Sequence, residues 1–148
     1  MIRFLLTICF SLLSFGFSAI AQSASNSMKG AKVIRQKELD KKGDSAVVYY
    51  GVASYYADKF NGRETASGEI YSHARNTAAC NVLPLGTWIR VTNLRNDKSI
   101  ILKINDRLHA QNNRLVDLTK SAAQRLGYAG RGLARVKVEV LGKKKPKD

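Results

Sequence analysis

Apolar and polar residues alternate most strictly near the end of the chain, where Ala134, Val136, Val138 and Val140 are separated by Arg135, Lys137 and Glu139. A two-residue period of this kind belongs to a strand with one face on a core, and it gathers the three charges on the other face. Looser alternation over residues 87–93 and 99–105 predicts two more strands, with Asn96-Asp97 between them marking a hairpin turn. Residues 48–56, rich in Val and Tyr, predict an opening strand. Several of these segments are apolar on both faces, which favours a small closed barrel over an open sheet. The period changes once, where Leu118, Ala122 and Leu126 recur at four-residue spacing. With Thr119 as the N-terminal cap and Gly127 as the stop, a helix is expected over residues 120–126. Two turns are marginal in isolation, so packing over one end of the barrel must hold them.

Outside this block the pattern fails in two different ways. Residues 22–47 are polar without a sustained period and read as a loose arm, while residues 143–148, four of them Lys, read as a basic tail. Residues 48–142 between them suffice for one small core and one domain. Residues 1–21 instead carry Arg3, an apolar run from Phe4 to Phe17 and then Ala19-Ile20-Ala21, the layout of an export signal cleaved before Gln22. Ser11, Ser14 and Gly16 interrupt the run, which disfavours a permanent spanning helix. Bulky Ile8 before Cys9 argues against lipid attachment. The expectation is a chain in the periplasm or secreted cell envelope, with no stable membrane anchor.

Charge then narrows the partners. The 148 residues include 25 Lys and Arg against 11 Asp and Glu, a formal net charge of +14 that export-signal removal barely changes. Such an excess suits nucleic acid, an anionic membrane or an acidic polymer. Export argues against a cytoplasmic DNA regulator, and the chain has no basic-aromatic repeat or base-reading module, so no specific nucleic-acid partner is expected. Gly62, Gly68 and Gly86 lack the spacing of a phosphate-binding loop. A hydrophobic content of 45% with 2 Pro and 11 Gly argues against collagen, wholesale disorder and a multi-pass membrane protein. Two cysteines exclude a dense disulfide framework and a four-cysteine zinc site, and loss of Cys9 with the signal leaves Cys80 without an internal partner. No metal or organic cofactor is implied, and a monomer is expected.

An ordered series of motifs adds a resemblance. Gly51-Val52-Ala53-Ser54-Tyr55-Tyr56, Phe60-Asn61-Gly62-Arg63-Glu64-Thr65-Ala66-Ser67-Gly68-Glu69, Leu83-Pro84-Leu85-Gly86-Thr87, Val91-Thr92-Asn93-Leu94, Ile104-Asn105-Asp106-Arg107 and Val116-Asp117-Leu118-Thr119-Lys120-Ser121-Ala122-Ala123 resemble successive motifs of the rare lipoprotein A family. Leu126-Gly127 completes a series covering nearly all of residues 50–141. The resemblance implies a mainly β fold, a single six-stranded double-psi β-barrel with a short helix. It also implies an endolytic transglycosylase acting on the MurNAc-GlcNAc strands of peptidoglycan, particularly strands stripped of peptides, to leave 1,6-anhydromuramyl ends.

By the same resemblance Asp106 is the candidate catalytic acid, while local sequence alone also allows a turn residue bonded to the backbone. Arg107, Glu69, Tyr55 and Tyr56 are candidate substrate-binding residues, Arg107 for a carboxylate or oxygen, and Tyr55, Tyr56 and Trp88 as surfaces for sugar rings. Two departures stand out. Cys80 occupies the position where the family usually has His, which makes it the second candidate catalytic residue by resemblance, with a buried apolar thiol as the alternative; a thiol does not reproduce an imidazole's two nitrogens or its titration near neutrality. Asp106-Arg107-Leu108-His109-Ala110 replaces the usual Asp-Arg-Gly-Pro-Phe, which allows the loop another path. His73 and His109 are spatial candidates for the missing imidazole. Asp117 reads as a residue ordering the helix entry. The alternative to an enzyme is a catalytically weak or inactive peptidoglycan-binding protein. A secreted nucleic-acid binder and a protein-interaction barrel are less specific readings.

Overall fold

The computed structural model describes residues 33–39, 43 and 45–147. The expected export signal over residues 1–21 and the start of the arm lie outside the described residues. Among the described residues there are seven strands: β1 (Ile34–Leu39), β2 (Ser45–Tyr55), β3 (Thr77–Ala79), β4 (Trp88–Asn93), β5 (Ser99–Asp106), β6 (Val116–Leu118) and β7 (Ala134–Gly142). The one α-helix among the described residues, α1 (Lys120–Arg125), follows β6. The sheet runs β1-β2-β6-β3-β5-β4-β7, and pairing of β2 with β7 joins its ends. Six strands, β2 to β7, therefore form a closed mainly β barrel with one short helix, in agreement with the double-psi β-barrel expected. Two of its pairings, β2 with β6 and β3 with β5, are parallel, and the rest are antiparallel.

Alternation in sequence becomes inside and outside of the ring. In β7, Ala134, Val136 and Val138 are buried while Arg135 is exposed. In β4, Ile89, Val91 and Asn93 point inward while Trp88, Arg90 and Thr92 are half-buried. Leu102 and Ile104 of β5, with Val116 and Leu118 of β6, complete a core whose members are 0% exposed. Burying each such side chain contributes about 1.5–3 kcal/mol. Gly51 on β2 is held by packing: a Cβ there would stand 2.7 Å from Leu115 Cβ, so only hydrogen fits.

Helix α1 closes one end, with Leu118, Ala122 and Leu126 all fully buried, and Gly127 stops it in the left-handed region at φ 75°. The expected capping role of Thr119 is not observed. Its hydroxyl donates to the Arg75 carbonyl at 2.6 Å and no side chain caps the helix, so a tertiary partner has replaced the local one. The arm also differs from expectation where it is described. Ile34–Leu39 pairs antiparallel with residues 45–50, making a hairpin from a stretch read as loose. Its side chains are mostly exposed. Pairing is reinforced by Glu38, which accepts from Tyr50 Oη at 2.6 Å and from Lys137 Nζ at 2.9 Å.

Candidate active site

Asp106 ends β5 and opens onto a groove of about 680 Å³. Its carboxylate is fixed from three sides. Ala66 N–H and Arg107 N–H donate to Oδ1 at 2.9 and 2.8 Å, and the Tyr56 hydroxyl donates to Oδ2 at 2.6 Å. Burial, and then the bond to Asp106, push the Tyr56 phenol far above its usual range. It therefore stays protonated and remains a donor. The ring of Tyr56 is in turn held by Tyr71 at 4.3 Å and Phe60 at 5.8 Å between centroids. Tyr71, its own phenol pushed up to about 12 by burial, shares a 3.0 Å hydrogen bond with His73 Nδ1. His73 Nε2 approaches Asp58 Oδ1 at 3.3 Å, but off the axis of a hydrogen bond.

The groove combines apolar rings with charge. Tyr55, Tyr56, Phe60 and Tyr71 line it together with Lys59, Arg63, Arg107 and Arg114. The Tyr55 hydroxyl is spent on the Ala129 carbonyl at 2.8 Å, leaving its ring as the contact surface. Arg107 Nη1 donates to the carbonyls of Cys80 and Leu83, tying the end of β5 to the loop after β3. Asp117 lies in the groove rather than only at the helix entry. There it accepts from Arg114 Nε and Nη2 at 2.7 and 2.8 Å, a two-pronged pair that raises the guanidinium pKa.

Four of the candidate residues thus share one groove: Asp106, Arg107, Tyr55 and Tyr56. Cys80 and Glu69 lie elsewhere. Cys80 is 0% exposed, part of the hydrophobic core, and burial pushes its thiol up. Its backbone touches the site, since Cys80 N–H donates to the Asp106 carbonyl at 3.1 Å, but its side chain does not line the groove. Glu69 accepts from Lys103 Nζ at 2.9 Å and Asn105 Nδ2 at 3.0 Å, which hold its carboxyl below the usual range, and it borders a separate recess. The groove also contains residues that no strand or helix pattern singles out: Glu64, Tyr71 and His109. Glu64 stands inside one of the resemblance motifs, which is the signal that points to it. His109 is exposed, and its Nδ1 accepts from Gln111 N–H at 3.3 Å. It is the imidazole among the groove-lining residues.

The burial of Cys80 gives a direct expectation. The native protein should resist iodoacetamide and label rapidly only when unfolded in urea. Fast alkylation of the native protein would place the thiol at an accessible surface instead.

A closed barrel with an acid at the mouth of an aromatic, cationic groove defines a double-psi β-barrel protein, and the family model described as lytic transglycolase matches residues 49–138. The chain belongs to this family. It is similar to the endolytic peptidoglycan transglycosylase RlpA of Pasteurella multocida, 47% identical over 91 residues, covering 62% of this chain and 31% of that protein. The RlpA of Neisseria meningitidis serogroup A is 36% identical over 144 residues, covering 93% of this chain and 60% of that one. For the RlpA of Pseudomonas aeruginosa (strain UCBPP-PA14) the identity is 52% over 89 residues, 60% of this chain and 26% of the relative. The chain therefore spans between about a quarter and three fifths of these three relatives. Among solved structures, a Streptomyces papain inhibitor aligns with a TM-score of 0.51 at 19% identity, covering 63% of this chain and 94% of that one. An apo expansin of Clavibacter michiganensis aligns with a TM-score of 0.52 at 17% identity, covering 68% of this chain and 52% of that one. These two share the fold alone.

Proposed function

We propose that this chain cleaves peptidoglycan glycan strands endolytically, in the periplasm or secreted cell envelope, leaving 1,6-anhydromuramyl ends. The observation that carries the reading is the fixed carboxyl of Asp106 at a groove walled by tyrosines and arginines. Sugar rings stack on the aromatic wall. Arg63 and Arg107 attract the carboxylates of muramic acid. In the first step the protonated Asp106 gives its proton to the glycosidic oxygen as the C1–O bond breaks, releasing the 4-hydroxyl of the neighbouring sugar. In the second, the Asp106 carboxylate takes the proton of the muramyl C6 hydroxyl as O6 bonds to C1. The acid is regenerated and no water is consumed. His109 lies exposed in the same groove, within the loop that follows Asp106.

A second reading has its own support. The position at which the family usually has His is Cys80, whose side chain is withdrawn into the core. That favours a weak or inactive receptor that binds glycan without cutting it. Mass spectrometry of peptide-stripped glycan incubated with the wild-type protein separates the two. Fragments one water lighter than hydrolysis products support the enzyme, and binding without any fragments supports the receptor.

A further inference from the structure

A second recess lies on the outer wall of the barrel and shares no lining residue with the Asp106 groove. Its volume is about 640 Å³. Its floor follows from the alternation in β4 and β5: Trp88 and Lys103 stand directly opposite each other across the pair and point away from the core. Glu69, Arg75 and Asn76 from the segment before β3, and Lys145 from the basic tail, enclose it.

Three properties of these residues point to a ligand. Trp88 is the only tryptophan of the chain, and among the described residues no ring packs on it and its indole N–H has no acceptor. Glu69 is the one carboxylate bordering the recess, and Lys103 and Asn105 already claim it. Arg75 and Lys145 are exposed and make no salt bridge among the described residues. A half-buried aromatic face with no ring packed on it, flanked by two exposed cations without a salt bridge and by the Asn76 amide, fits a planar-faced, oxygen-rich molecule that carries negative charge. A phosphate polymer would use the cations but has no need of a single isolated ring, whereas a sugar uses the ring through its C–H face and the donors through its hydroxyls.

We infer that this recess binds a carboxylate-bearing saccharide, its ring on Trp88 and its carboxylate between Arg75 and Lys145. The site is separate from the groove and does not depend on cleavage there. It gives the barrel a second hold on an anionic glycan.

Because Trp88 is the sole tryptophan, its emission reports the site directly. The test is a fluorescence titration of the intact protein with N-acetylmuramic acid, with N-acetylglucosamine as the neutral comparison and a deoxythymidine oligonucleotide as the phosphate comparison. The expected result is a saturable change with N-acetylmuramic acid and little or none with N-acetylglucosamine. Arg75→Gln with Lys145→Gln, both at exposed positions, should weaken that binding about tenfold while circular dichroism stays unchanged. Asp106→Asn should leave the titration unchanged, which separates this site from the groove. No saturable response, an equal response in the double variant, or equal saturation by the oligonucleotide would each overturn the assignment. None of these readouts uses cleavage, so the proposed activity can fail while this site stands.

Discussion

Asp106→Asn should abolish anhydromuramyl products while peptide-stripped glycan still binds. Removing a positioned acid costs about 10²–10⁴-fold in rate, and the proposed reaction uses the acid in both of its halves. The substitution is also structurally mild. An amide oxygen in place of Oδ1 continues to accept from Ala66 N–H and Arg107 N–H. Only the bond from Tyr56 must adapt, because the phenol now faces an NH₂ group, and its hydroxyl can turn to accept instead of donate. The loss in stability should therefore stay near that of one hydrogen bond, about 1 kcal/mol. Product analysis by mass spectrometry beside a glycan pull-down provides the check. A variant that still forms anhydro ends at close to the wild-type rate would remove Asp106 from the chemistry.

The largest effect on stability is expected at Leu118→Ala. Leu118 is 0% exposed and lies on a strand of three residues that pairs with β2 on one side and β3 on the other. Its carbonyl accepts from Tyr56 N–H at 3.1 Å. These backbone pairings survive the substitution, so the loss isolates the side chain, which also forms the seat of α1. Truncation to Ala in a close-packed core costs about 2–5 kcal/mol, a large part of the total for one small domain. The midpoint of urea unfolding should fall with little change in slope. A loss below about 1 kcal/mol would mean that this end of the barrel is not closely packed.

Leu118 also marks where sequence stops announcing structure. β7, β4 and β5 were legible because each is long enough to repeat an inward and outward pair several times. β3 and β6 have three residues each, too few to establish a period, and β3 is buried throughout. They are strands because the ring supplies partners on both edges. β1 is the opposite case, polar and mostly exposed, and it is held by its partner β2 and by Glu38. The resemblance motifs supplied the fold that periodicity alone left as a small barrel.

The site divides in the same way. Asp106, Tyr55 and Tyr56 stand at or just beyond strand ends, where motif and strand period mark the same place. Glu64, Tyr71 and His109 come from irregular segments whose path depends on tertiary contacts, so local sequence carried little about where they point. The resemblance alone places Cys80 at the site. The small apolar residues before it, Ala78 and Ala79, are buried with it, and the chain turns its thiol inward.

The bond between Tyr56 and Asp106 joins residues 50 positions apart, and Tyr55 pairs with Leu118 still farther along the chain. β7 must then return to β2 to complete the ring. The β4–β5 hairpin is local and can form in microseconds, but these closures require long loops to be ordered first. Folding should accordingly take milliseconds to seconds, and the proposed activity should appear only in the last phase. A kinetic trace of regained cleavage would then time the final joining of the chain rather than its collapse.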